Sequence, residues 1–107
     1  MNDRRPYSLL QIRELGHGIH DLPGLDTDYF RLFAVRLDPH EAQLTIDRSA
    51  ETVLFVVEGS LTVAWYEVAR VPTELREGDS ALTNPPAVEV LRAGADGATV
   101  MAIVSRS

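Results

Sequence analysis

The feature that most limits what this chain can become is a train of short β-type runs, about ten residues apart, punctuated by turn residues. Tyr29–Leu37 is aromatic and β-branched and stops at Asp38-Pro39. Thr52–Val57 runs into Glu58-Gly59-Ser60 and Leu61–Val68 follows at once, a pattern that predicts a hairpin. Val71–Arg76 ends at Glu77-Gly78-Asp79, and Ser80–Thr83 ends at Asn84-Pro85-Pro86. Val88–Arg92 alternates apolar with charged residues, Gly94–Gly97 reads as a last turn, and Ala98–Val104 is apolar enough for a central strand. Short strands at this spacing, with glycine and proline between them, build an all-β sandwich or barrel.

Helical periodicity is confined to Ser8–Leu15, where Leu9, Ile12 and Leu15 can share a face. A stretch that short fits one N-terminal helix or a strand. Gly16–Asp28 mixes glycine and proline breakers with acids and reads as an irregular loop, lying over one end of the barrel or at an interface. There is no internal repeat, low-complexity tract or linker, and 107 residues suffice for one domain, 1–107.

Composition removes several function classes. The absence of Cys excludes disulfides, thiolate metal sites, iron–sulfur clusters and cysteine nucleophiles. Sixteen acidic residues stand against 10 basic ones, all Arg, for a formal charge of −6. A chain of pI about 4.9 repels phosphate backbones, and Arg4-Arg5 is too short for a basic arm, so no nucleic-acid partner is expected. No apolar run approaches the roughly 18 residues of a membrane span, so no membrane partner is expected either. Met1 leads into polar Asn2-Asp3-Arg4-Arg5-Pro6 rather than an apolar leader, and cytoplasmic is the default location. No Gly-x-Ser-x-Gly elbow and no glycine-rich loop ahead of a helix is present.

Two ordered anchors then stand out. Leu54-Phe55-Val56-Val57-Glu58-Gly59 is followed by Glu77-Gly78-Asp79 and Asn84-Pro85-Pro86. Together they resemble the two motifs of the cupin superfamily, in its small single-domain, RmlC-like form, over about residues 35–104. Residues 1–34 lie outside the likeness as an added strand or loop segment. The resemblance implies a double-stranded β-helix, a jelly-roll barrel, in which two His and a Glu of the first motif and a His of the second hold one metal. Counted from Gly59, those first-motif positions fall on Ile46, Arg48 and Thr52, and His40 takes the place of the opening Gly. Counted from Gly78, the second-motif His position falls on Glu89 and the final Asn position on Ala93. The register survives while all four ligand positions have changed, and a one-residue bulge that brought Glu51 into play would leave Ile46 and Arg48 unsuited.

A divalent ion needs several imidazole or carboxylate donors at about 2 Å, and this set offers one carboxylate, one hydroxyl and a cation that repels the ion. The resemblance therefore implies a cupin with no metal and no cofactor. If the family geometry holds, Arg48, Thr52 and Glu89 converge where the metal would sit. Period-two alternation adds Leu54 and Val56 to the lumen side with Thr52, and Leu91 with Glu89.

Arg48 and Glu89 admit two readings. As a structural ion pair they are worth a few kcal/mol before desolvation, and removing one partner strands the other at a cost of about 3–5 kcal/mol. As a functional pair, Glu89 is the acid or base and Arg48 steadies a carboxylate or enolate. Two function classes follow. One is a non-catalytic or sensor-like binder of a small organic molecule, with Ile46, Arg48, Thr52, Leu54, Glu89 and Leu91 around the ligand. The other is a metal-independent isomerase, epimerase, dehydratase or cyclase that uses Glu89 and Arg48 as catalytic residues. Metal-dependent dioxygenase chemistry is disfavoured. A homodimer is expected, because a barrel this small gains stability by burying an outer face.

The remaining polar and aromatic residues take ordinary roles. His17 and His20 have the spacing of a metal pair on a helix, but Gly16 and Gly18 flank His17 and argue against a helix. Both therefore read as loop histidines, and His40 as an exposed turn histidine. Trp65 and Tyr66 are adjacent, so one faces the lumen and the other faces out.

Overall fold

A computed structural model describes residues 12, 14–22, 27–44, 50–65, 71–83 and 89–106. They form seven strands: β1 (Gly18–Asp21), β2 (Phe30–Leu37), β3 (Ala42–Leu44), β4 (Thr52–Trp65), β5 (Thr73–Arg76), β6 (Ser80–Thr83) and β7 (Glu89–Ser105). The sheet runs β1-β2-β7-β4-β5, with β3 added on β7 and β6 added on β4. Every pairing is antiparallel. Among the described residues no helix is long and apolar enough to cross a membrane.

Two long strands dominate, and both correct the expectation drawn from the turn residues. The hairpin expected across Glu58-Gly59-Ser60 is a single strand, β4, whose ladder with β7 shifts register between Val56 and Glu58 and again between Gly59 and Leu61. The turn expected at Gly94–Gly97 likewise lies within β7. Each strand bends at a β-bulge and passes from one half of the barrel to the other. Thr52–Val56 of β4 pairs with Val100–Val104 of β7, and β2 and β6 complete that half. Leu61–Trp65 pairs with Glu89–Ala93, and β3 and β5 complete the other.

Glycine makes the bend possible. Gly59 has φ +83°, and a Cβ there would meet the Gly97 carbonyl oxygen. Gly97 has φ +79°, and a Cβ there would come within 2.8 Å of the Leu37 carbonyl oxygen. Both glycines take a left-handed conformation that L side chains resist, and their backbones touch. A glycine of positive φ serves a hairpin or a bulge equally well, so the residue type alone did not distinguish them.

The inward face is a single buried hydrocarbon cluster. Leu54 and Val56 from one half of β4, Leu61 and Val63 from the other, and Leu91 and Val100 of β7 all belong to it. The two halves therefore pack face to face. Ile12, Leu22, Leu32, Ala34 and Val57 form a second cluster on the opposite face of the sheet, so the N-terminal segment covers part of the outside.

Two smaller expectations also change or fall away. Gly16–Asp28 is not wholly irregular, because it contains β1, which pairs with β2 from Gly18↔Arg36 to Asp21↔Phe33. Its burial alternates only between intermediate and exposed, so it carries no apolar signature. The short helix expected over Ser8–Leu15 lies largely outside the described residues. Within it, the Leu15 amide donates to the Ile12 carbonyl at 3.3 Å, a single turn.

The corner makes a comparative prediction. Gly59→Ala adds left-handed strain and a collision with the Gly97 backbone, which together should cost about 3 kcal/mol or more. For a domain of this size, the thermal midpoint should fall by roughly 10–20 °C. Gly16 has no positive φ and nothing within 4 Å of an added Cβ. Gly16→Ala should therefore stay within about 1 kcal/mol of the parent. Equal midpoints for the two variants in a thermal scan would remove the corner from its central place.

Candidate functional site

The strand registers place the sequence-selected positions. Arg31 of β2 lies beside Val104 of β7, which lies beside Thr52 of β4, which lies beside Thr83 of β6. This row closes one half of the barrel at the end away from the glycine corner. The next row inward is Phe33, Ala102, Leu54 and Ala81. In the other half, Glu89 pairs with Trp65 at the strand ends, and Leu91 pairs with Val63 and Gln43 one row in. Thr52 and position 89 thus occupy the ends of the two halves farthest from the corner.

Burial separates these positions by role. Leu54 and Leu91 are each only 2% exposed, so they are packed core already one row in from the strand ends. Thr52 is 4% exposed, and its hydroxyl donates to the Ala50 carbonyl over a long 3.4 Å. Among the described residues the buried polar side chains are Thr52 and Thr99. Thr99 belongs to the outward-facing set and accepts a hydrogen bond from Arg36 Nη1 at 2.9 Å. Ile46, Arg48, Tyr66 and the side chains of Trp65 and Glu89 lie outside the described residues.

Sequence reasoning passed over Arg31. Its guanidinium carbon lies 4.7 Å from the centre of the Phe33 ring, and Nη2 is 3.7 Å from Asp21 Oδ2. Phe33 belongs to the inward cluster, so this cation stands on the same face at the barrel end. The signal was available, since alternation along Arg31, Phe33, Val35 and Leu37 puts all four on one side of β2.

A second polar constellation lies on the outside. His17, just ahead of β1, places Nε2 2.7 Å and 2.8 Å from the two carboxylate oxygens of Glu41. Glu41 Oε1 also accepts the Asp38 backbone N–H at 2.9 Å. That amide holds the Glu41 carboxyl below its ordinary value against the opposing effect of burial, with the His17 ring adding to the lowering. His17 is thus a partner of a carboxylate 24 residues away, a contact that sequence spacing does not reveal. His20 Nε2 lies 2.7 Å from the Gly16 carbonyl oxygen, with the ring nitrogen as donor. His40 is the exposed turn residue expected, with φ 63°.

No protein-family profile and no curated protein matches the chain. Solved structures do match it in backbone. A protein of Bacillus halodurans superposes with a TM-score of 0.81 at 14% identity, over 96% of this chain and 83% of that one. A cupin 2 conserved barrel domain protein from Salinispora arenicola gives 0.71 at 10% identity, over 83% and 75%. An RmlC-like cupin from Shewanella frigidimarina gives 0.66 at 20% identity, over 88% and 81%. The chain has the cupin fold.

At the positions that the resemblance implies for a metal, counted along the sequence, the residue types do not suit one. Ile46 has no donor atom, Arg48 is a cation and Thr52 offers a neutral hydroxyl, which leaves Glu89 as the single carboxylate. The observed surroundings of Thr52 point the same way. Its neighbours in the inward rows, Val104, Leu54 and Ala102, are hydrocarbon and buried.

The Glu41 contacts set a pH dependence. A carboxylate whose pKa is depressed by folding contributes stability above its unfolded pKa, and that contribution is lost as pH falls through the folded value. Glu41→Gln should therefore melt below the parent protein at pH 7, and the two midpoints should converge between about pH 5 and pH 3. A gap that stays constant across that range in paired thermal scans would assign the difference to packing instead.

Proposed function

We propose that this cupin-fold chain is a metal-independent binding protein that takes a small, mostly apolar organic molecule at the open end of its barrel and does not turn it over. The observation that carries the reading is the single polar residue of the inward rows of β4, Thr52, at the end of an otherwise hydrocarbon interior. Side chains nearer the corner, such as Val56, Leu61 and Val63, have no exposed surface left for a ligand to contact. Binding is therefore assigned to the barrel end and not to its depth. There Arg48 and Glu89 orient a polar group of the ligand, while Ile46 borders its apolar part above the packed side chains of Leu54 and Leu91. Small-molecule pockets of this kind pair an apolar wall with few polar groups. The working unit is a homodimer.

The reading is tested by screening small carboxylates and carbonyl compounds for an upward shift of the thermal midpoint, then following the best compound by calorimetry and NMR. Removing one charge-assisted contact costs about 1.5–3 kcal/mol, roughly 10–150-fold in affinity. Arg48→Gln and Glu89→Gln should each weaken binding by that factor, and the compound should remain unchanged over hours. Conversion that disappears in Glu89→Gln while affinity is kept would replace the binder with an isomerase- or dehydratase-type enzyme. Affinity untouched by both substitutions would remove these residues from the site.

A further inference from the structure

We propose that His17, Asp38 and Glu41 form a binding site for a divalent transition-metal ion of the zinc class on the outside of the barrel, away from its hydrocarbon interior. His17 Nε2 and one carboxylate oxygen from each acid all lie within 4.8 Å of one another. Zinc–ligand bonds of about 2.0–2.2 Å set neighbouring ligand atoms roughly 3–3.5 Å apart. His17 and Glu41 are already closer than that, at 2.7 and 2.8 Å, so an ion enters by replacing the hydrogen bond between them. The rest of the contraction is a side-chain rotation of exposed Asp38.

The fold explains why donors so far apart in sequence meet. β1 pairs with β2 so that Gly18 lies opposite Arg36. The residue just before β1 therefore arrives beside the residues just after β2, which begin the turn holding Asp38 and Glu41. That turn is pinned from two directions. The Glu41 amide donates to the Asp38 carbonyl at 3.0 Å, while the His40 amide reaches the Gly94 carbonyl at 3.1 Å and the Ala93 amide the Glu41 carbonyl at 2.9 Å. The Glu41 carboxylate is thus oriented before any ion arrives. A ligand held by its neighbours loses little freedom on binding.

The donor set selects the ion. Two carboxylates neutralise a dication, and an imidazole nitrogen favours zinc, copper, iron or nickel over magnesium, calcium or manganese, which prefer oxygen. Solvent supplies the remaining positions, because His17 and Asp38 are exposed. The ion joins the segment ahead of β1 to the β2–β3 turn, so it stabilises an edge strand of only four residues. In the same turn, the His40 carbonyl accepts a hydrogen bond from Arg92 Nη1 at 3.0 Å.

The test uses the full chain without a histidine tag, stripped with chelator and titrated with zinc chloride against a chromophoric competitor. One equivalent should bind, and the ring resonances of His17, but not those of His20 or His40, should move in a nitrogen-15 long-range spectrum. His17→Ala should abolish uptake. Asp38→Asn and Glu41→Gln should each weaken it at least as much as loss of an outer-shell partner does, about 10–100-fold. Zinc should raise the thermal midpoint of the parent and leave that of His17→Ala unmoved. All three side chains are at least partly exposed, and metal-free midpoints of the variants check that each is folded. Uptake by the parent no greater than by His17→Ala overturns the site. So does stoichiometric uptake that survives His17→Ala, which would place the metal elsewhere.

Discussion

The contact on which the rest of the structure depends is the backbone crossing at Gly59 and Gly97, where the two long strands bend against each other without room for a single Cβ. The bend does more than change direction. Val56 and Leu61 are five positions apart, as are Ala93 and Ala98, an odd offset, yet all four are buried in the same cluster. A regular strand would send one member of each pair outward. The register shifts at Val56/Glu58 and Gly59/Leu61, together with the extra residues of β7 between Ala93 and Ala98, restore the parity. Without them, one half of the barrel would turn its hydrocarbon face to solvent.

The same corner organises the edge built by β5 and β6. Both run along β4, one on Ser60–Val63 and the other on Thr52–Phe55. Between them the Val56 amide donates to the Asp79 carbonyl at 3.0 Å, and the Gly78 amide to the Val56 carbonyl at 2.8 Å. The turn Glu77-Gly78-Asp79 therefore follows the bend of β4 one strand away. Its own closure is local, since Asp79 Oδ2 accepts the Arg76 amide at 2.9 Å. A second layer of support lies outside, where Ile12 and Leu22 cover Leu32, Ala34 and Val57. That cover stops short of Phe55 and Leu82, which are 36% and 51% exposed.

Much of this was legible in the residues, in a physically consistent way. Period-two alternation correctly grouped Thr52, Leu54 and Val56, because burial on one face of a strand writes that pattern directly. The anchor at Gly59 was correct in position and misread in shape, since a left-handed glycine does not say whether the chain folds back or continues bent. β1 and β3 were not foreseen. Both are short strands with a single recorded partner, β2 for one and β7 for the other, so neither carries a long apolar run. Arg31 was missed because attention followed motif spacing rather than the parity of β2. The His17–Glu41 contact was beyond reach, since it exists only through the register of an edge strand that left no mark of its own.

The distribution of polar groups follows from how the barrel is filled. Hydrocarbon side chains from both halves close the interior near the corner, and a charge placed among them would lose its hydration with nothing to replace it. Among the described residues polar groups gather outside that interior, and two such places stand out. One is the end of the barrel, where Arg31 rests on Phe33 and faces Asp21 while Thr52 lies farther along the same row. The other is the outer turn after β2, where the backbone pairs with β7 and leaves the Glu41 carboxylate and the His17 ring half in solvent. The leucine, valine and alanine of the interior and the polar groups at its margins are two sides of one packing constraint, and the corner glycines hold the frame in which both are arranged.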